Sequence, residues 1–181
     1  HVGRFERAKG VVTLIKAFIE FAKGQKDCIL INVGQPRGSA YENCHELLKS
    51  ANVIDKVKFT GFVSYKELPR YYANADAVVV ASEIYESFSY TVAQAMACGK
   101  AVISSSIGGI PETLNNGKIG LLYESGNTKE LTECLIYIYN NDDLRIQFGK
   151  NARKFSVNAF SIERLKNTYL EYYKQFMAEL N

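Results

Sequence analysis

Residues 76–81 (DAVVVA) constrain this chain more than any other stretch. The run is β-branched and uncharged after its first residue. A strand with one wet face alternates; a continuous apolar strand is covered on both faces, as in parallel sheets with helices on either side. Other short apolar runs join it: residues 27–33 (DCILINV) ended by Gly34, residues 57–62 (VKFTGF), residues 101–104 (AVIS), a weaker 120–123, and the opening His1-Val2. Between them lie stripes at helical spacing. Val11, Leu14, Ile15, Phe18 and Ala22 share one face, and Gly24 can end that helix. Tyr41, Cys44, Leu47, Leu48 and Ala51 form the next stripe. Ser64 and Glu67 make a capping-box pair opening a short helix through Tyr72. Leu131, Cys134, Leu135 and Ile138 mark a helix started near Asn127. Ile162, Leu165, Tyr169, Tyr172 and Phe176 mark a long C-terminal one, whose aromatic side chains are expected on a core. Strands alternating with helices at this spacing predict an α/β fold, a Rossmann-like doubly wound parallel sheet. Ligands of such sheets bind beyond the carboxyl ends of the strands, so functional residues belong in the loops that follow them.

Bulk properties exclude several other classes. The 181 residues suffice for one domain with a full core, and no linker divides them. A net charge of +3 is too small to argue for nucleic acid, and no apolar run approaches the ~18 residues of a membrane span. Cys28, Cys44, Cys98 and Cys134 form no C-x-x-C pair, and only His1 and His45 add imidazoles. The expectation is buried reduced thiols, no structural zinc and a cytoplasmic setting. The lysines are scattered over several helices and read as a solvated surface. His1-Val2-Gly3 looks like a strand already entering its loop, which predicts a piece cut from a longer chain.

Three loops carry chemistry. The first, residues 3–10 (GRFERAKG), lacks the G-x-G-x-x-G dinucleotide pattern but places Arg4, Arg7 and Lys9 at a helix N-terminus. Helix N-termini favour anions and these cations add charge-assisted bonds, so a phosphate or diphosphate is the expected guest. The second, residues 82–99, follows the most buried strand. Ser87 or Ser89 can cap the next helix, leaving the amides of Phe88 to Thr91 free, with Glu86 just before the turn to accept from hydroxyls. The third, residues 104–112, holds Gly108-Gly109, whose lack of a Cβ permits close approach to a ligand. Taken singly, each also reads as an ordinary charged or glycine-bearing turn.

Together the loops resemble the donor-binding C-terminal domain of retaining glycosyltransferases of family 4, of GT-B architecture. The segments VGRFERAKGVVTLIKAF, VKFTGFVSYKELPRYYANADAVVVAS, ESFSYTVAQAMACGKAVISSSIGGIPE and FSIERLKNTYLEYYKQF carry the likeness in order along the chain. The resemblance implies roles. Arg4 and Lys9 match the pair that grips the donor diphosphate, with Gly3 beside them. Glu86 matches the first glutamate of the E-x7-E motif, which contacts sugar hydroxyls. Ser87, Phe88 and Ser89 match the turn beside it, and Tyr90 and Thr91 the amides facing the diphosphate. Gly61 and Phe62 match the nucleobase wall. Gln94 stands where the family has its second glutamate, which accepts from the ribose; an amide there implies weaker donor binding. Ser87 and Ser89 replace glycines, which narrows the sugar pocket, and Ala101 replaces a proline.

The implied substrate is a nucleotide-diphosphate sugar, with no cofactor and no metal. The implied division is a nucleotide-sugar domain over residues 1–160 and a helix over residues 161–181 that crosses toward an N-terminal acceptor domain absent here. Without that domain little transfer is expected. Neither His1 nor His45 is assigned to the site, and peripheral membrane association of the full-length enzyme, at the inner face of the membrane, stays open. A degenerate binding module without transfer activity is the alternative; a nucleotide-sugar epimerase or a phosphorylase of the same shape is a third reading.

Overall fold

A computed structural model describes residues 1–179. Its strands are β1 (Leu30–Asn32), β2 (Val57–Phe59), β3 (Ala77–Val80), β4 (Ala101–Ser105) and β5 (Leu121–Tyr123), and every pairing between them is parallel. They form two ladders, β1-β2 and β3-β4-β5. The opening residues lie at the seam. Val2 bridges Val33 in parallel, with Gly3 N–H donating to the Val33 carbonyl at 2.9 Å and Val33 N–H to the His1 carbonyl at 2.8 Å. Val2 also packs against the cluster containing Val78 and Val80. The sixth strand expected at His1-Val2 is thus a single bridge, because two residues cannot extend a ladder. The strands are also shorter than expected: residues 27–29 and 60–62 fall outside β1 and β2.

The β-branched run does what its composition demands. Val79 and Ala81 join one apolar cluster, Val78 and Val80 the other, and all five residues of β4 are buried. On the first face lie α1 (Val11–Gly24), α2 (Gly38–Ser50) and α6 (Thr128–Tyr139). On the second lie α3 (Leu68–Asn74), α4 (Tyr90–Ala97), α5 (Ile110–Thr113) and α7 (Asp142–Phe160). Asn127 caps α6 as expected, its side chain accepting from the Glu130 amide. Ser64 and Glu67 do pair, at 2.7 Å, but in a turn ahead of α3, which starts at Leu68 with a proline in its first turn.

Helix α7 is a finding the residue pattern did not announce. Its buried face consists of Gly149, Ala152 and Ser156, too small to register as an apolar stripe. Small residues let it lie close: a Cβ on Gly149 would stand 2.2 Å from the Gly99 carbonyl oxygen. The last helix, α8 (Ile162–Glu179), buries no residue at all. Leu165, Tyr169, Tyr172, Tyr173 and Phe176 are all exposed, so no core among the described residues covers them as expected. Of the cysteines only Cys44 is fully buried; the others are half-buried, and all four are free. Burial pushes every thiol up, Cys44 and Cys134 to about 11. No helix among the described residues is long and apolar enough to cross a membrane.

Candidate functional site

Loop one is pinned from beneath. Phe5 is buried edge-on between Tyr41 and Phe59, with ring centroids 5.8 and 5.6 Å away. Arg7–Lys9 then make one 3-10 turn, and Gly10 ends it in the left-handed region at φ 66°. No other residue fits there, because a Cβ would overlap the Ala81 carbonyl oxygen at 1.6 Å. Loop one therefore rests on the carboxyl end of β3. Glu83 N–H donates to the Ala8 carbonyl at 2.9 Å and Thr13 Oγ1 to Glu83 Oε1 at 2.5 Å, stitching it to loop two.

This seating brings Lys9 to Glu86. Lys9 Nζ lies 2.6 Å from Glu86 Oε1, and both side chains are mostly buried, at 24% and 16% exposure. Ser82 Oγ donates to the same oxygen at 2.6 Å. Burial pushes the Glu86 carboxyl up; the bonds from Lys9 and Ser82, the Lys9 charge and nearby Ser89 outweigh it and hold the group below its ordinary value. Glu86 is therefore an anion at neutral pH and suited to accepting hydrogen bonds.

The paired glycines of loop three lie against loop two. Gly109 N–H donates to the Glu86 carbonyl at 2.7 Å. A Cβ on Gly108 would sit 2.3 Å from that carbonyl oxygen, and one on Gly109 2.2 Å from the Ser87 oxygen. The close approach is to the backbone of loop two, which the glycines clamp.

Two cavities open above the strand ends and share Val2 and Gly3. The larger, about 550 Å³, takes in Arg4, Glu6, Phe62 and Val63, a size typical of small-molecule sites. The smaller, about 40 Å³, takes in Lys9, Ser82, Glu86, Ser89 and Thr91. Arg4 is exposed and paired with Glu6 at 3.2 Å, a contact weak enough for a stronger anion to displace. Ser89 holds the N-cap position of α4 without capping it through its side chain, so the first amides of that helix keep their donors.

Other expected residues stand apart. Gly61 is left-handed and accepts from Gly34 N–H. Ser87 is exposed. Phe88 and Tyr90 stack edge to face at 5.4 Å, Phe88 continues onto Phe160 at 5.2 Å, and neither lines these two cavities. Gln94 accepts from the buried Tyr72 hydroxyl at 2.9 Å, a phenol that burial, then Cys98, pushes up and so keeps protonated. Several lining residues were not foreseen, Ser82 among them. His1 lines the small cavity, contrary to expectation, and Gln35 and Arg37 line the large one. Gly34 read only as a strand end; the cation three residues later was the available signal. No group of three or more His, Cys, Asp or Glu converges among the described residues.

The family model for glycosyl transferases group 1 matches residues 1–155. The chain belongs to that family. An uncharacterised glycosyltransferase of Methanocaldococcus jannaschii is 31% identical over 185 residues, covering 97% of this chain and 44% of the relative. The C-terminal domain of LpcC, a glycosyl transferase group 1 family protein from Francisella tularensis, superposes with a TM-score of 0.81 at 26% identity, covering 89% of this chain and 85% of that one. Anabaena HepE in complex with UDP-glucose shares the fold, with a TM-score of 0.86 at 24% identity over 97% of this chain and 48% of that one. The chain thus spans less than half of the curated relative and corresponds to the C-terminal domain of a GT-B glycosyltransferase.

Proposed function

We propose that this chain is the donor-binding half of a retaining family 4 glycosyltransferase, one that moves a hexose from a nucleotide-diphosphate sugar to a glycan, lipid or small-molecule acceptor. The observation that carries the reading is the Lys9–Glu86 contact, which sets a cation and an anion side by side where two strand-end loops meet. Gly3, Arg4, Lys9 and the α4 amides at Tyr90 and Thr91 would face the diphosphate. As the sugar leaves, negative charge grows on the distal phosphate, and fixed donors there stabilise it. Glu86 would accept from sugar hydroxyls, with Ser87, Phe88 and Ser89 shaping that pocket. Gly61 and Phe62 would border the base, and Gln94 the ribose through its amide donor. Residues 1–160 form the donor domain in this reading, and residues 161–181 reach toward an acceptor domain.

Calorimetric titration with UDP, GDP, ADP, UDP-glucose and GDP-mannose tests it. One nucleotide binds, and Arg4→Ala weakens it by about tenfold or more, as losing charged hydrogen bonds would. Binding untouched by Arg4→Ala sinks the diphosphate assignment. A binding module without transfer is the second reading, favoured by Gln94, a neutral amide whose oxygen already accepts from Tyr72. Sugar transfer by the full-length protein decides between them.

A further inference from the structure

Ser82 lies at the end of β3, 1% exposed, and is fixed at three points. Its carbonyl accepts the Ser105 hydroxyl at 2.7 Å and the Ser125 hydroxyl at 3.1 Å. Its own hydroxyl has one proton to give. Glu86 Oε1 at 2.6 Å takes it in preference to the Ile84 carbonyl at 3.4 Å, being nearer and charged. Lys9 donates to that same oxygen at 2.6 Å. Oε1 therefore has both acceptor directions filled from the protein side, and the remaining capacity of the carboxylate lies on Oε2. The Glu86 backbone is itself anchored, its carbonyl accepting from Gly109 N–H at 2.7 Å.

We propose that Ser82 is a positioning residue for sugar recognition: with Lys9 it saturates Glu86 Oε1 and so presents Oε2 as the oxygen that meets a donor-sugar hydroxyl. This rests on the reading of Glu86 as the sugar contact. The consequence is specific. Removing the Ser82 hydroxyl frees the carboxylate to rotate and share its two oxygens among Lys9, Ser89 and ligand. The loss then falls on the sugar and not on the nucleotide.

The test compares this chain with Ser82→Ala and Ser82→Cys. Affinities are measured for UDP against UDP-glucose and for GDP against GDP-mannose. In parallel, the Glu86 carboxyl carbon is followed by NMR from neutral to acid pH. The expected result in Ser82→Ala is a fall of about tenfold in the sugar nucleotide's advantage over its bare nucleotide. The Glu86 midpoint also moves up, since a bond to the charged form is gone. Lys9 and His1 are the other titratable groups around the small cavity, which is why the midpoint is read at Glu86 itself. Ser82→Cys, close in volume with a weak donor, moves both readouts less and serves if the alanine variant does not fold. Equal losses for sugar nucleotide and nucleotide, or an unmoved Glu86 midpoint, overturn the proposal while leaving the donor site standing. If the unmodified chain binds neither pair, the donor reading falls and takes the sugar part of this proposal with it; the midpoint still decides whether Ser82 governs Glu86.

Discussion

Lys9 and Glu86 form the contact on which the proposed chemistry turns, and its energetics follow from its surroundings. The carboxyl is held below its ordinary value in the fold, so its bonds stabilise the protein fully above the unfolded value. That contribution is lost as pH falls through the lowered folded value. Glu86→Gln replaces charged bonds with neutral ones and should cost about 1 kcal/mol at neutral pH. Urea unfolding of both proteins should show the gap closing under acid; a gap that is constant from pH 7 to 3 contradicts the assignment. The side-chain environment of Glu86 was not legible in the sequence. Ser82 looked like the first residue of a loop, and nothing in the spacing said that its hydroxyl would turn inward. Lys9 and Glu86 were each foreseen as donor contacts, but a meeting between residues 77 positions apart needs the fold.

Helix α7 shows the same limit one level up. Periodicity reads large apolar side chains, so it found α1 from Val11, Leu14, Ile15 and Phe18 with its boundary at Gly24. It missed α7, whose fully buried positions are small and whose larger apolar contacts, Phe148 and Phe155, stand seven residues apart on opposite clusters. Gly149→Ala separates the two effects. An alanine gains up to ~1 kcal/mol of helix propensity over glycine. Here its Cβ would meet the Gly99 backbone, which has no flexible end to yield, and such overpacking costs ~1–3 kcal/mol. Net destabilisation in thermal unfolding is the expected outcome; a stabilised variant would mean α7 can slide. The glycines of loop three make a parallel case. They were marked as a close approach, and the structure shows the backbone of loop two as one neighbour they admit, because a sequence shows that something comes near and not what.

For the whole molecule, the alternation of strands and helices sufficed to read the parallel α/β layering, and it overstated the opening strand and the lengths of β1 and β2. The exposed face of α8 is the feature at odds with a closed domain. Since that helix buries nothing, deleting residues 162–181 should shift Tm by less than about 3 °C. It should also reduce self-association in sedimentation, as the exposed aromatic residues go with it. A Tm drop beyond about 8 °C would place α8 in the core. The seam at Val2 and the contact between Lys9 and Glu86 have a consequence for how this protein comes apart. The small cavity draws on residues from His1 to Lys9 and from Val80 to Thr91, so a single cut anywhere between Lys9 and Val80 leaves its two sides on different pieces. Under the proposed function, a bound nucleotide would hold those two sides together after such a cut, and the nicked chain would stay assembled.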